Sequence, residues 1–181
     1  MAKVRVRELN RDRIVFEAMV KRVGGKAAKS AFARAINHEM AKANTAVKRE
    51  LRTETGIKVG DIAKALKRTR ASHNALTAQI IARGGAMPLK YFQARQQKYG
   101  VRAKPWNRTQ RFKSAFIAPT LGGHVFHRTS KARLPIEMLW GPAIPKEMMR
   151  EKVTTAFGRA TDKIAERAAY HELPRIMGGS G

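Results

Sequence analysis

Residues 62–136 contain no Asp or Glu, yet they hold sixteen of the chain's 38 Lys and Arg residues. Whatever fold these 75 residues adopt, they have no carboxylates of their own to set against their cations. Surface charge of one sign raises the free energy of the compact state through self-repulsion. Such a segment is most easily understood if it faces something negative when it works. Polyphosphate is the leading candidate, because cations that neutralise phosphates release condensed counterions. An acidic protein surface is the other.

The flanks differ. Residues 1–61 carry seven acids and fifteen bases, and residues 137–181 carry six and seven. The chain has 181 residues, 43% of them hydrophobic, which is enough for one domain with a core and unlike a disordered basic tail. It has no Cys, which removes disulfides, thiolate metal sites and Cys nucleophiles together. No apolar run follows the basic start, so no signal peptide is expected, and no stretch approaches the ~18 apolar residues of a membrane span.

Two helices bracket the middle. Ala28, Phe32, Ala35, Ile36, Met40, Ala43, Val47 and Leu51 recur at spacings of three and four, which predicts a helix over 26–54. Gly24 and Gly25 precede it, and Gly56 stands where a left-handed C-cap belongs. A short helix is expected over Asp61–Leu66, with the Asp61 carboxylate at its positive end. Met149, Val153, Phe157, Ala160, Ile164 and Ala168 predict a second long helix over 146–172, with Pro145 in its first turn and Pro174 stopping it.

Between the helices the pattern is one of strands. Leu66–Ala71 and Leu76–Arg83 read as a β-hairpin around the turn residues Ser72, His73 and Asn74. Pro88–Phe92 reads as a helical turn. Arg95–Ala103, Phe112–Pro119 and His124–Thr129 read as three further strands, with Leu121, Gly122 and Gly123 turning between the last two. The order predicts an α+β fold, a small antiparallel β-sheet with two long α-helices packed on one face. One domain is expected over 26–173, after an N-terminal arm or edge strand over 1–25 and before a flexible tail over 174–181.

Bases and aromatics interleave between Arg83 and Arg133, where Tyr91, Phe92, Tyr99, Trp106, Phe112, Phe116 and Phe126 lie among twelve cations. Single-strand binders use this mixture. Here the aromatics are read as core, with Phe116 and Phe126 in inward strand positions, and the cations as functional. His124 and His127 sit on opposite faces of a strand with no acid nearby, so no metal is expected, and His38, His73 and His171 are isolated. There is no phosphate loop or Ser elbow, and a carboxylate pair would have to come from the two outer helices, so no catalytic residue, cofactor or enzymatic activity is expected. The Ala-lined face of helix 26–54 suits close packing better than insertion in a membrane.

The order of several short motifs resembles the phage minor tail protein Z family. They are Ser30–Asn37, Gly56-Ile57-Lys58, Asp61-Ile62 with Lys64-Ala65-Leu66, Pro88-Leu89 with Phe92, and Ala94-Arg95-Gln96. Ala115–Ala118, Gly123–Phe126 with Arg128, Arg133–Ile136, and Gly141-Pro142 with Pro145 complete the match. It covers roughly residues 28–170; Pro105-Trp106 and the first 25 residues depart from it.

The resemblance implies a structural virion protein of a tailed phage, acting in tail completion at the head–tail junction, with a fold similar to neck and tail-terminator proteins. It implies a ring of this chain, a hexamer, around the DNA channel. The partners would be neighbouring neck, tail-tube or head-completion proteins and the double-stranded genome, and the location the virion neck, after assembly in the host cytoplasm. The cations expected to face DNA or the next ring are Lys90, Arg95, Lys98, Arg102, Lys104, Arg108, Arg111, Lys113, Arg128, Lys131 and Arg133. Composition alone also admits a cellular, non-sequence-specific nucleic-acid-binding protein, ribosome- or nucleoid-associated; the motif order favours the phage reading.

Overall fold

The structure is a computed structural model and describes residues 3–5 and 25–178. Helix α1 (Gly25–Thr55) runs 31 residues, matching the periodicity of the sequence. Its buried stripe alternates small and large side chains, with Ala28, Ala35 and Ala43 beside Phe32, Ile36, Met40, Val47 and Leu51. The small residues let neighbouring elements approach closely. The Gly56 N–H donates to the Arg52 carbonyl at 2.9 Å with φ at +73°, the left-handed cap that the glycine predicts.

Helix α2 (Val59–Ala65) carries Asp61 in its first turn. It leads into strand β2 (Leu66–Arg68), which pairs antiparallel with β3 (Gln79–Ala82), Lys67 opposite Ile81. This is the expected hairpin with shorter strands. Its loop is fixed to α1 by Asn37, whose side-chain amide donates to the Ala71 carbonyl at 2.8 Å and accepts from the Ala71 N–H at 2.9 Å. Strand β1 (Lys3–Arg5) lies along the other side of β3. The rest of the proposed N-terminal arm falls outside the described residues.

The α+β reading holds, with the strand layer divided into small antiparallel sheets rather than joined in one. β4 (Ala86–Pro88) pairs with β11 (Trp140–Ala143). β5 (Arg95–Gln97), β6 (Gly100–Ala103) and β7 (Gln110–Lys113) form a second sheet, and β8 (Ala115–Ala118), β9 (His124–Arg128) and β10 (Ile136–Met138) a third. Two expected strands are thereby corrected. Arg95–Ala103 folds back on itself, because Gly100 takes φ +142° and turns the chain. Phe112–Pro119 is broken at Ser114, whose φ of +58° moves Ala115 into the next sheet.

The expected second helix is also segmented: α3 (Ile144–Glu147), α4 (Glu151–Thr161), α5 (Ile164–Arg167), a π turn (Ala168–Glu172) and α6 (Leu173–Gly178). The first break comes at Arg150, which is extended and swings back so that its guanidinium meets Glu147. Met149, assigned to the buried stripe from the sequence, is consequently exposed while Met148 is buried. Pro174 does not end the helix; it sits in the first turn of α6, where a missing N–H costs little, after a π turn that makes room for its ring.

Helix α4 lies along α1, and the core fills the space between them and the sheets: Met40, Leu51, Val153 and Phe157 from helices, Ile80, Val101 and Val125 from strands. A buried carboxylate, Glu39, ties the helical layer together. It lies 3.0 Å from both Lys42 Nζ and His38 Nδ1 and 3.7 Å from Arg167, which reaches Glu172 at 3.4 Å. Burial raises the Glu39 pKa, but hydrogen bonds from Lys42 and His38 outweigh it and hold the carboxyl below its ordinary value. Among the described residues, no helix is long and apolar enough to cross a membrane, and no group of three or more His, Asp or Glu is placed to hold a metal ion.

Candidate nucleic-acid interface

The β5–β6–β7 sheet brings three of the sequence-selected cations into one row. Arg95 on β5 stands opposite Arg102 on β6, and Arg102 stands opposite Arg111 on β7. Side chains alternate between faces along a strand, so the three arginines share a face, and all are exposed. Gln97 and Lys113 lie on the same face two residues along, and Lys98 occupies the β5–β6 turn. The opposite face holds Val101 and Ala103, fully buried, and Phe112, packed against the core. Like charges placed directly opposite one another destabilise a strand pair. At a strand spacing of ~4.8 Å, unit charges repel by about 0.9 kcal/mol per adjacent pair in water. None of the three has a carboxylate partner among the described residues.

The sheet is rigidly built despite that repulsion. An ideal Cβ at Gly100 falls 2.1 Å from the Phe112 carbonyl oxygen, so β6 and β7 approach as only glycine permits. The Gln96 side chain stitches the layers together: it donates to the Gly100 carbonyl at 3.0 Å and accepts from the Ile117 N–H at 2.9 Å. Tyr99 stacks beneath Arg111, its ring centroid 5.5 Å from the guanidinium carbon.

Lys104 and Arg108 flank a 3-10 turn, Pro105–Asn107, in which both Trp106 and Asn107 have positive φ. Single left-handed non-glycine residues cost about 1 kcal/mol or more each. Contacts on both sides hold them there. The Trp106 indole N–H donates to Glu147 Oε1 at 2.9 Å, and the Asn107 amide donates to the Arg52 and Thr53 carbonyls at 3.2 and 2.7 Å, closing the end of α1. Glu147 is buried, and Arg150 Nε lies 2.5 Å from its Oε2, an ion pair without good hydrogen-bond alignment. Arg108 opens onto a polar cleft of about 430 Å³ that also exposes Glu54, Trp106 and Arg150. Glu54 is held below the ordinary carboxylate range, chiefly by its 2.6 Å hydrogen bond from Lys152, with Arg150 and Arg108 adding to the effect.

The other sequence-selected cations lie elsewhere. Lys90 is engaged, donating to the Gly122 carbonyl at 3.0 Å and lying 3.0 Å from His124 Nε2. Arg128 ends β9, its guanidinium 5.0 Å from the Phe116 ring centroid. Lys131 and Arg133 sit in the exposed β9–β10 loop, which the Thr129 and Pro135 backbones close. The structure thus gathers Arg95, Arg102, Arg111, Lys113 and Lys98 on one sheet, with Lys104 and Arg108 in the turn between β6 and β7. Arg128, Lys131 and Arg133 belong to the neighbouring β8–β9–β10 sheet and its loop, and Lys90 to the turn after β4, from which its side chain reaches Gly122 and His124.

Reading the aromatics as core needs correction at four positions, of which Tyr91 and Tyr99 are plainly exposed. Phe116 and Phe126 are cross-strand partners, ring centroids 6.2 Å apart, on the face of β8–β9–β10 that points away from the core; Val125, of the opposite parity and paired with Ile117, is the inward residue. Sequence reasoning also missed Gln96 and the Glu147–Arg150–Trp106 cluster. No sequence signal marks the cluster, since Trp106 lies forty-one residues from the Glu147 that it meets.

Comparison with protein-family models matches residues 18–177 to the family described as prophage minor tail protein Z (GPZ). No curated protein and no solved structure matches the chain.

Proposed function

The chain belongs to the prophage minor tail protein Z family and is a structural protein of a phage tail; from that premise we propose that it acts in tail completion at the head–tail junction, as a ring whose basic sheet faces the DNA channel. The observation that carries this reading is the row Arg95–Arg102–Arg111, three in-register guanidinium groups on one exposed face without a carboxylate partner. A fold that keeps such a row bears its repulsion in the free state and is relieved of it when phosphates arrive. Duplex DNA carries one charge per ~1.7 Å of axis, so a row spanning ~10 Å has several phosphates within reach where it faces a backbone. Contact of this kind positions DNA without reading its sequence, as a channel that passes a whole genome requires. Lys98 and Lys113 extend the same field, and Lys104 and Arg108 border it.

The test is complementation of a producer whose own copy is disrupted, using the charge-reversed variant R95E/R102E/R111E. Filled heads beside unjoined tails and loss of infectivity are expected. Infectious particles at the wild-type titre, with the variant present in them, would overturn the assignment of these residues to the channel.

A further inference from the structure

The middle of the outer face of the β8–β9–β10 sheet is apolar, between His124 at one end of β9 and Arg128 at the other. In register, Phe116 pairs with Phe126 and Phe126 with Met138, while Arg128 pairs with Ile136. Alternation along the strands puts all five on one face, opposite the buried Val125 and Ala115. Phe116, Phe126, Ile136 and Met138 are each half-buried, and none is among the side chains that pack against the core. Leu134, in the loop before β10, is 66% exposed, and Trp140, two residues beyond Met138, is 50% exposed. Contiguous apolar surface of this kind on a protein marks an interaction site.

The charges around it say what covers it. Arg128 lies on the face itself, stacked against Phe116, and the loop that follows it carries Lys131 and Arg133. Among the described residues none of these three has a carboxylate partner. The acid of this sheet, Glu137, has the opposite parity to Ile136 and Met138 and so points to the other face. An aromatic and aliphatic centre with arginine at its margin is the make-up of a protein-binding hot spot, in which the rim selects a partner by charge. We propose that this face docks another protein of the tail, one presenting an apolar patch rimmed by carboxylates. A second copy docked face to face fits poorly, because two such faces brought together would oppose their own Arg128, Lys131 and Arg133. Duplex DNA fits poorly too, because it offers little apolar surface to a Phe–Phe–Met row. The inference rests on membership in the tail and not on the arginine row or DNA contact.

The experiment co-expresses an epitope-tagged copy in the intact producer and measures the ratio of tagged to native chain in purified particles. Tagged wild type is expected in proportion to its expression. Phe126→Glu is expected to be depleted about tenfold or more, the change that a loss of about 1.4 kcal/mol of contact free energy makes. Arg128→Glu with Arg133→Glu is expected to be depleted as well, with Arg128→Lys retained. Circular dichroism and the thermal midpoint establish that each variant folds, and Ile136→Asn, at an edge strand, replaces Phe126→Glu if the latter does not. Incorporation of the folded apolar variant at the wild-type ratio overturns the proposal. So does retention of the charge-reversed pair, and so does a purified wild-type oligomer that Phe126→Glu dissociates, which would make a second copy the occupant. A duplex-binding loss in Phe126→Glu equal to that of R95A/R102A/R111A also overturns it. Absence of the tagged wild type from particles would overturn tail membership itself, and this proposal with it.

Discussion

Neutralising the row tests the phosphate-facing reading quantitatively. Each phosphate that a protein neutralises on B-DNA contributes about −0.9 to the slope of log K against log salt. Arg95, Arg102 and Arg111 share one exposed face in register and have no internal carboxylate partners, so all three are available to phosphate. The variant R95A/R102A/R111A is therefore expected to flatten the slope by about 2.7. Between about 50 and 200 mM salt, wild-type affinity should accordingly fall by a further factor of about 40 relative to the variant. The assay is fluorescence anisotropy of the purified protein with short labelled duplexes of two unrelated sequences, titrated at several salt concentrations. The two sequences should give the same slope. The variant should remain folded, since it relieves two repulsive cross-strand pairs and leaves Val101, Ala103 and Phe112 on the core face untouched. A triple-lysine variant should keep the wild-type slope. An unchanged slope in a folded alanine variant would refute the reasoning, because it would mean that the row meets no phosphate.

Other expectations concern the scaffold. Gly100→Ala brings a methyl against the Phe112 carbonyl at a backbone angle that side chains avoid, and should cost about 3 kcal/mol, read as a lower midpoint in calorimetry; a midpoint equal to wild type would contradict the close approach of β6 and β7. Trp106→Phe removes the only indole donor to buried Glu147 and should cost about 1–3 kcal/mol by chemical denaturation. Glu39, faced by Lys42, His38 and Arg167, and Glu54, faced by Lys152, Arg150 and Arg108, both have depressed folded-state pKa values. Their contribution to stability is present above the unfolded carboxylate pKa of about 4.3 and is lost as pH falls through the lower folded values. The thermal midpoint should therefore hold down to about pH 5 and decline below it, and Glu39→Gln should flatten that decline.

The helical stripe of α1 was legible because eight apolar positions repeat one period over seven turns, and Gly56 marks its end with a residue that the left-handed cap requires. The Leu66–Arg83 hairpin was legible because turn-forming residues separate two β-rich runs. The arginine row was not. It depends on a hairpin whose strands are three and four residues long and whose turn, Lys98-Tyr99, lacks the usual Asn-Gly signal; only the lone Gly100 that follows hints at the reversal. Spacings of seven and nine residues between Arg95, Arg102 and Arg111 carry no periodicity of their own. The inversion at Phe126 came from the same cause, since half-buried strands leave parity ambiguous when both faces hold apolar side chains. The segmented C-terminal helix hid because the helical period runs unbroken through Met148-Met149-Arg150, while the break at Arg150 turns its guanidinium back to Glu147, a buried carboxylate that Trp106 also meets. No local pattern announces a partner forty-one residues away.

The central claim is that this chain completes the tail where it meets the head. Electron microscopy of lysates from a producer with the gene disrupted tests it most directly. The account predicts DNA-filled heads beside unattached or irregularly ended tails. Normally joined, infectious particles in that lysate would contradict it.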